Sequence, residues 1–403
     1  MSEHNGQQSH FEVLIVGGGT GGLTVAAQLR AAPDPPEVAV LEPSDKHYYQ
    51  PLWTLVGGGV FPKEESERDE ADFIPAGVTW IRDGAAAFRP AANTVETRDG
   101  RTLTYDHLVV AMGLQINWDA IPGLEEGLRD PDSPVASNYA YDTCEKTWNL
   151  IRNFTGGTAV FTEPVTGVKC GGAPQKIMYL AEDYFRKQGI RDRAEVIFCN
   201  GKGSIFSSPW YGEALTEIVA ERDIEVRFHT NLVELRPGSR EAVVVDTQTE
   251  QTATITYAMI HVTPPMGSLD VLAAGPLAGD AGWVDVDPKS LQHVRYANVF
   301  ALGDCSSLPT SKTGAAIRKQ APTLVENLLA VRAGHPVHAE YDGYTSCPLV
   351  TGYGRLILAE FDYTKEPKES FPFDQRRERY SMYALKAYML PRMYWHGMLK
   401  GRL

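Results

Sequence analysis

Short apolar runs alternate with helical patterns of apolar residues along much of the chain, and the first such unit is the clearest. Residues 11–16 form an apolar run that ends in a glycine-rich segment at 17–22. A helical pattern follows, and a second apolar run at 38–41 ends at Glu42. This order predicts a strand, a turn, a helix and a strand, as in a βαβ unit that binds a dinucleotide.

The spacing of the glycines indicates what the turn binds. Gly17, Gly19 and Gly22 form the pattern G-x-G-x-x-G, and Glu42 lies 20 residues beyond the last of them. Glycine lets the backbone approach a pyrophosphate, the helix N-terminus attracts its charge, and the carboxylate accepts hydrogen bonds from ribose hydroxyls. The segment predicts a nucleotide site and leaves FAD and NAD both open.

Later segments favour FAD and outline the domains. Residues 105–113 and 298–304 predict strands that end in Met-Gly and Gly-Asp, a pair found in two-domain flavin reductases, where Asp304 would reach the ribityl chain. Residues 157–162 predict the first strand of a second Rossmann-like unit, but no second G-x-G-x-x-G follows. We therefore expect an α/β protein with an FAD domain (1–118 and 275–335) that is interrupted by a second Rossmann-like domain (119–274).

Composition excludes several classes of protein. The chain has 403 residues and a net charge of −13, which argues against nucleic acid as a partner. Five cysteines do not suit a secreted disulfide scaffold, and the ten histidines show no metal-ligand spacing with them, so we expect no metal site. The first ten residues lack the features of a signal peptide, and no apolar stretch is long enough to span a membrane.

The segment 380–403 differs from the rest of the chain. It has no acidic residue and four basic ones, interleaved with tyrosine, tryptophan and methionine. Such a composition suits amphipathic helices that attach to a membrane surface, and equally a helix packed on the protein body. Pro391 is expected to divide the segment into two short helices. With residues 336–379 it forms the third predicted region.

Two of the five cysteines have surroundings that suggest chemistry. Cys170 precedes a predicted helix that begins near Pro174, and Lys169 and Lys176 lie close to it in sequence, which favours a thiolate. Cys347 is followed by a proline, so we expect an extended residue presented from a loop. Both are candidates for a redox pair beside a flavin, although an isolated cysteine is more often a small buried hydrophobic residue. Cys144, Cys199 and Cys305 are expected to be structural.

Longer motifs resemble the sulfide:quinone oxidoreductase family, in particular the branch that includes the mitochondrial enzyme. The similar segments cover nearly the whole chain and are residues 47–57, 168–178, 261–266, 303–313, 341–363 and 371–375.

The resemblance implies a mechanism. Cys170 and Cys347 would form a disulfide, with or without an extra bridging sulfur, beside FAD. Sulfide would attack it and leave a persulfide on Cys347, and the electrons would pass through FAD to a quinone. A sulfane-sulfur acceptor such as glutathione, sulfite or sulfide would then remove the sulfur. The FAD contacts implied beyond Gly17, Gly19 and Gly22 are Thr20, Gly21, Glu42, Gln50, Ala85, Asp304, Lys312 and Gly314.

Two other functions stay open. A type II NADH:quinone oxidoreductase would have a second glycine-rich turn, and a non-catalytic, membrane-associated FAD protein would need no cysteine pair. We expect a peripheral membrane protein on the cytoplasmic face of the cell membrane. The sequence leaves the number of subunits open, including a homo-oligomer.

Overall fold

The longest apolar runs become the central strands of two separate sheets, the first mixed and the second parallel. The structure, a computed structural model, describes residues 9–403. Residues 1–8, part of the segment in which no signal peptide is expected, lie outside the described residues. The strands are β1 (His10–Val16), β2 (Val38–Leu41), β3 (Lys46–Tyr48), β4 (Glu67–Asp69), β5 (Val78–Ile81), β6 (Ala85–Arg89), β7 (Thr94–Thr97), β8 (Thr102–Val110), β9 (Gln115–Ile116), β10 (Val135–Ala136), β11 (Gly157–Glu163), β12 (Ala194–Asn200), β13 (Glu225–Arg227), β14 (Thr230–Arg236), β15 (Glu241–Asp246), β16 (Thr252–Thr256), β17 (Met259–His261), β18 (Met266–Gly267), β19 (Val299–Ala301), β20 (Thr345–Gly352) and β21 (Arg355–Phe361). The helices are α1 (Thr20–Arg30), α2 (Trp53–Gly57), α3 (Leu124–Arg129), α4 (Cys144–Asn153), α5 (Ala173–Lys187), α6 (Pro209–Glu221), α7 (Asp270–Ala273), α8 (Gly314–Arg332), α9 (Tyr380–Ala384) and α10 (Leu390–His396).

The first sheet has the order β5-β2-β1-β8-β7-β6, and β19 pairs with the second half of β8. Strands β5, β2, β1, β8 and β19 are parallel, whereas β7 and β6 are antiparallel. The central strands are buried because helices such as α1 and α8 pack on the sheet. The chain leaves this sheet after β8 and returns at β19, as the apolar runs at 105–113 and 298–304 predict.

The second sheet has the order β10-β17-β11-β12-β13 and is parallel throughout. Its core includes buried residues of α5 and α6. A separate antiparallel sheet, β14-β15-β16, lies beside it. The predicted strand at 157–162 is confirmed as β11, and the predicted helix near Pro174 is confirmed as α5, in which Pro174 is the second residue.

The hairpin β20–β21 packs on α5 and carries Cys347. The prediction that Cys347 is presented from a loop is wrong, because this residue lies within β20, opposite Ala359 of β21, and is buried. A residue before proline must be extended, and a strand satisfies that requirement as well as a loop does. Pro348 is tolerated because β20 pairs with only one strand.

The C-terminal segment is helical from Tyr380 to His396. A turn of π-helix at Leu385–Met389 joins α9 to α10, and Pro391 is the second residue of α10. The two predicted helices therefore exist, but they are joined without a break, because the wider π turn accommodates the missing N–H of Pro391. Among residues 9–403, no helix combines the length and the apolar character that crossing a membrane requires.

Candidate active site

The glycine turn between β1 and α1 has the geometry of a nucleotide cradle. Gly17 has φ +104°, and a Cβ there would lie 2.5 Å from the carbonyl oxygen of Ala111. A Cβ on Gly22 would lie 1.8 Å from the carbonyl oxygen of Gly17, so α1 can cross the end of β1 only with glycine at this position. Apart from Gly19 and its two chain neighbours, no atom of the described residues lies within 4 Å of the place where a Cβ on Gly19 would stand. This open side is where a pyrophosphate would approach.

Glu42 closes one side of this turn. Its carboxylate accepts hydrogen bonds from the backbone N–H groups of Gly18 and Ser44, both at 2.7 Å. Burial raises the pKa of Glu42, and these two hydrogen bonds oppose that effect. The carboxylate is thus fixed at the end of β2, where a ribose-binding acid is expected.

One cavity of about 570 Å³ extends from the glycine turn to the cysteines. It is lined by nine of the predicted cofactor residues, which are Gly17, Gly19, Thr20, Gly21, Glu42, Gln50, Asp304, Lys312 and Gly314. Gly22 lies behind the turn. Ala85 is buried in β6 and does not line this cavity.

The sulfur atoms of Cys170 and Cys347 lie 3.5 Å apart, although the cysteines are 177 residues apart in sequence. At this distance they are two free thiols in van der Waals contact. Cys170 reaches this position from the loop before α5, with the left-handed backbone angle φ +54°. The N–H of Cys170 donates to the carbonyl oxygen of Lys312 at 2.7 Å. This hydrogen bond connects the loop before α5 to the segment before α8.

Two lysines determine the charge around this pair. Lys176, one helical turn into α5, donates to the sulfur of Cys170 at 3.0 Å. The hydrogen bond with Cys347 and the ammonium of Lys176 hold the pKa of Cys170 well below that of an ordinary thiol. The hydrogen bond with Cys170 and burial raise the pKa of Cys347 well above that value. Cys170 is therefore the cysteine of the pair that loses its proton more readily.

Lys386 is the second lysine and one of the four basic residues of segment 380–403. Its side chain is buried and donates to the carbonyl oxygen of Pro51 at 2.6 Å. Burial and repulsion from Lys176 lower the pKa of Lys386 to about 7. The π turn carries this residue into the cavity, and a helical pattern alone would not have identified it.

Lys169 and Lys312 both line the cavity, but their ammonium groups have different partners. Lys312 donates to the carbonyl oxygens of Asp304 and Ser306, at 2.6 and 3.1 Å, and lies 3.8 Å from the ring centre of Trp283. Lys169 donates to Oε1 of Gln50 at 2.6 Å, and burial lowers its pKa to about 8. Burial also raises the pKa of Asp304, against the attraction of both lysines.

The other three cysteines are buried thiols. Cys144 donates to the carbonyl oxygen of Tyr141, and Cys305 donates to that of Val110. Burial raises the pKa of Cys144 and Cys199 to about 12 and that of Cys305 to about 11. These surroundings favour the structural interpretation of all three.

The loop that follows β11 differs from the glycine turn that follows β1. Helix α5 begins at Ala173, ten residues after β11 ends, and the connecting loop carries Cys170. Glu163, the last residue of β11, forms an ion pair with Lys202 at 2.6 Å. His261, at the end of β17, accepts a hydrogen bond from the N–H of Asn138, and burial lowers its pKa to about 3. A structural role is favoured for both residues.

Comparisons with known proteins agree with this arrangement. Residues 11–156 match the family model described as pyridine nucleotide-disulphide oxidoreductase. The mitochondrial sulfide:quinone oxidoreductase of Dictyostelium discoideum is 52% identical over 97% of this chain and 86% of its own length. That of Mus musculus is 49% identical over 98% of this chain and 87% of its own length.

The chain belongs to the sulfide:quinone oxidoreductase family. It is accordingly an FAD-dependent oxidoreductase with a mixed α/β flavoprotein fold. The crystal structure of sulfide:quinone oxidoreductase from Aquifex aeolicus has the same fold, with a TM-score of 0.79 at 20% identity, over 96% of this chain and 91% of that one.

The residues present fit the FAD of this oxidoreductase family. The Gly19 side of the turn is open, Glu42 is held by two backbone N–H groups, and the cavity continues from there to the cysteines. Within residues 9–403, no group of three or more histidine, cysteine, aspartate or glutamate side chains is arranged to hold a metal ion.

Proposed function

We propose that the protein oxidises hydrogen sulfide to sulfane sulfur at Cys170 and Cys347 and passes the electrons through FAD to a quinone. The observation that carries this proposal is the pair of sulfur atoms 3.5 Å apart, with the ammonium of Lys176 3.0 Å from the sulfur of Cys170. An ammonium beside Cys170 favours this cysteine as the leaving thiolate.

The chemistry begins with the oxidised pair. Hydrosulfide attacks the sulfur of Cys347, the bond between the two cysteines breaks, and a persulfide forms on Cys347 while Cys170 leaves as a thiolate. Lys176 stabilises that thiolate, which lowers the pKa of the leaving group and speeds the exchange. Glutathione, sulfite or a second sulfide takes the sulfane sulfur from the persulfide and leaves Cys347 as a thiolate. FAD, when bound in the cavity, would accept the two electrons that are released when the two thiolates form the disulfide again.

We propose that the quinone and the membrane meet the protein at the C-terminal segment. Tyr380, Tyr388 and Met389 are 70%, 51% and 54% exposed, on helices whose other side chains are mostly buried or half-buried. Leu385 and Leu390, on the same helices, line the cavity. Apolar side chains thus connect an exposed surface to the interior, as an isoprenoid substrate requires. We propose peripheral attachment at the cytoplasmic face, where anionic lipids would attract Arg392 and Arg402.

The proposed domains follow the two sheets. Residues 1–118 and 275–335 form the FAD domain, 119–274 form the inserted Rossmann-like domain without a glycine loop, and 336–403 supply Cys347 and the membrane-binding helices. Support comes from the return of the chain to the first sheet at β19 and from the loop that replaces a second nucleotide turn.

An anaerobic titration of the FAD-loaded protein tests the proposed function. Sulfide should bleach the flavin absorbance and produce a broad long-wavelength band, whereas NADH should leave the spectrum unchanged. Flavin reduction by NADH but not by sulfide would replace this proposal with the type II NADH:quinone oxidoreductase alternative. Addition of a short-chain quinone should restore the oxidised spectrum.

A further inference from the structure

Tyr394 of α10 joins the C-terminal segment to the first residue of the nucleotide-binding helix. Its hydroxyl is buried, 2.8 Å from Oγ1 of Thr20 and 2.5 Å from Nε2 of His47. Thr20 lies within the glycine turn, and both Thr20 and Tyr394 line the cavity. A tyrosine 374 residues away in sequence thus holds the side chain at the start of α1.

The hydrogen bonds continue to the other side of the turn. Nδ1 of His47 lies 2.9 Å from Oε2 of Glu70, and both side chains are almost completely buried. The second oxygen of Glu70 has no hydrogen-bond partner in the described part of the chain, and it lies 2.6 Å from the position that a Cβ on Gly18 would take. Gly18 in turn donates to Glu42. The hydrogen-bonded series Tyr394, His47 and Glu70 therefore lies against the glycine turn that contains Thr20.

The last residues of the segment also lie on α1. Gln28 donates to the carbonyl oxygen of Leu403 at 3.2 Å, and Gly401 packs so tightly on Ala27 that a Cβ there would lie 2.9 Å from its backbone. Met393, Met398 and Leu403 form part of the cavity wall. The C-terminal segment is thus a wall of the space in which FAD fits.

We infer that Tyr394 is a positioning residue that couples the packing of the C-terminal segment on α1 to the binding of FAD. Coupling between two equilibria is reciprocal. Packing of the segment on α1 raises the affinity for FAD. Binding of FAD raises the equilibrium constant for packing of the segment by the same factor. The inference rests on the FAD cavity and does not depend on sulfide as the substrate.

The first test compares FAD affinity in Tyr394→Phe, which removes a single oxygen atom, with the wild-type protein. Apoprotein is titrated with FAD, and the quenching of flavin fluorescence gives the dissociation constant. Because the buried hydrogen bonds of this hydroxyl to Thr20 and His47 are lost, we expect this constant to rise about 3- to 10-fold. Tyr388→Phe is the matched control, because Tyr388 lies in the same segment but is exposed. This variant should leave the FAD dissociation constant unchanged. Equal constants for wild type and Tyr394→Phe would overturn the inference.

The reciprocal test uses limited trypsin digestion, because Arg392, Lys400 and Arg402 lie in the segment. FAD should slow cleavage after these residues in the wild-type protein, and by a smaller factor in Tyr394→Phe. A wild-type segment that is cut equally fast with and without FAD would contradict the coupling.

A double-mutant cycle separates positioning from a general loss of packing. Thr20→Val removes the other hydroxyl of the bond and keeps the shape of the side chain. If the bond itself carries the coupling, adding Tyr394→Phe to Thr20→Val should weaken FAD binding by less than it does in the wild-type protein. Additive effects would show that the two residues act independently, against the inference.

Discussion

Among single residues, Cys170 and Cys347 differ most clearly in backbone freedom. Cys347 is fixed in a paired strand, whereas Cys170 has the left-handed angle φ +54° and is followed by two glycines. A cysteine in this conformation costs roughly 1–2 kcal/mol, which the hydrogen bonds of the loop must offset. When the distance between the sulfur atoms changes during turnover, Cys170 is the residue placed to move.

Replacing either cysteine with serine tests the pair directly. Cys170→Ser and Cys347→Ser should each bind FAD and lose sulfide-dependent flavin reduction by about three orders of magnitude, because the alcohol cannot form the disulfide. Cys199→Ser, a buried cysteine remote from the pair, serves as the control. Stopped-flow absorbance measures the rates, and a rate within tenfold of wild type in Cys170→Ser would refute the mechanism.

Lys176 is expected to control the pH dependence of the reaction. Its ammonium lowers the pKa of Cys170, so Lys176→Met should raise that pKa. The raised pKa should slow flavin reduction about 10- to 100-fold at neutral pH, with recovery as the pH rises. Lys176→Arg retains the charge and should shift the profile less. Lys187→Met, which alters an exposed lysine of the same helix, should leave the profile unchanged.

At the level of elements, the contact between the loop before α5 and the hairpin β20–β21 sets the spacing of the sulfur atoms. A Cβ on Gly172 would lie 2.1 Å from Cδ2 of Leu349 and 2.8 Å from the sulfur of Cys347. No atom lies within 4 Å of the same position on Gly171. A side chain at position 172 would therefore collide with β20, whereas one at position 171 would meet open space.

The pair Gly172→Ala and Gly171→Ala exploits this contrast. The first substitution should push the loop away from β20, cost about 1–3 kcal/mol of unfolding free energy and slow reduction by sulfide. Gly171→Ala should change neither the free energy of unfolding nor the rate of reduction by sulfide. Denaturant unfolding and stopped-flow reduction measure the two effects, and equal behaviour of both variants would show that the loop does not set the spacing.

The sequence determined most of the site that lies on regular elements. The turn at Gly17, the acid at Glu42 and the approach of Cys170 to Cys347 followed from strand order, glycine spacing and family motifs. The strand around Cys347 and the burial of Lys386 did not, because both depend on packing between segments distant in sequence. A proline after Cys347 is equally compatible with a loop or an edge strand, and one π turn redirects Lys386 from solvent to the cavity.

For the whole molecule, the exposed apolar side chains of the C-terminal segment predict binding to membranes. Tyr388→Asp combined with Met389→Asp should reduce sedimentation with anionic lipid vesicles about tenfold or more, because charged side chains do not enter the interface. Reduction of FAD by sulfide should persist, because neither residue lines the cavity. Val294→Asp, at an exposed apolar position elsewhere, is the control. Equal vesicle binding by all variants would locate the membrane contact outside this segment.

The C-terminal segment limits how the protein can be truncated. The segment that would attach the protein to lipid also supplies Lys386 beside the cysteines and Tyr394 beside the nucleotide turn. Deleting residues 380–403 to obtain a better-behaved sample for crystallisation or screening would therefore remove an ammonium group from the reaction centre and a wall from the cofactor cavity. Solubility is better improved by changing only the outward-facing side chains and keeping the full length of the chain.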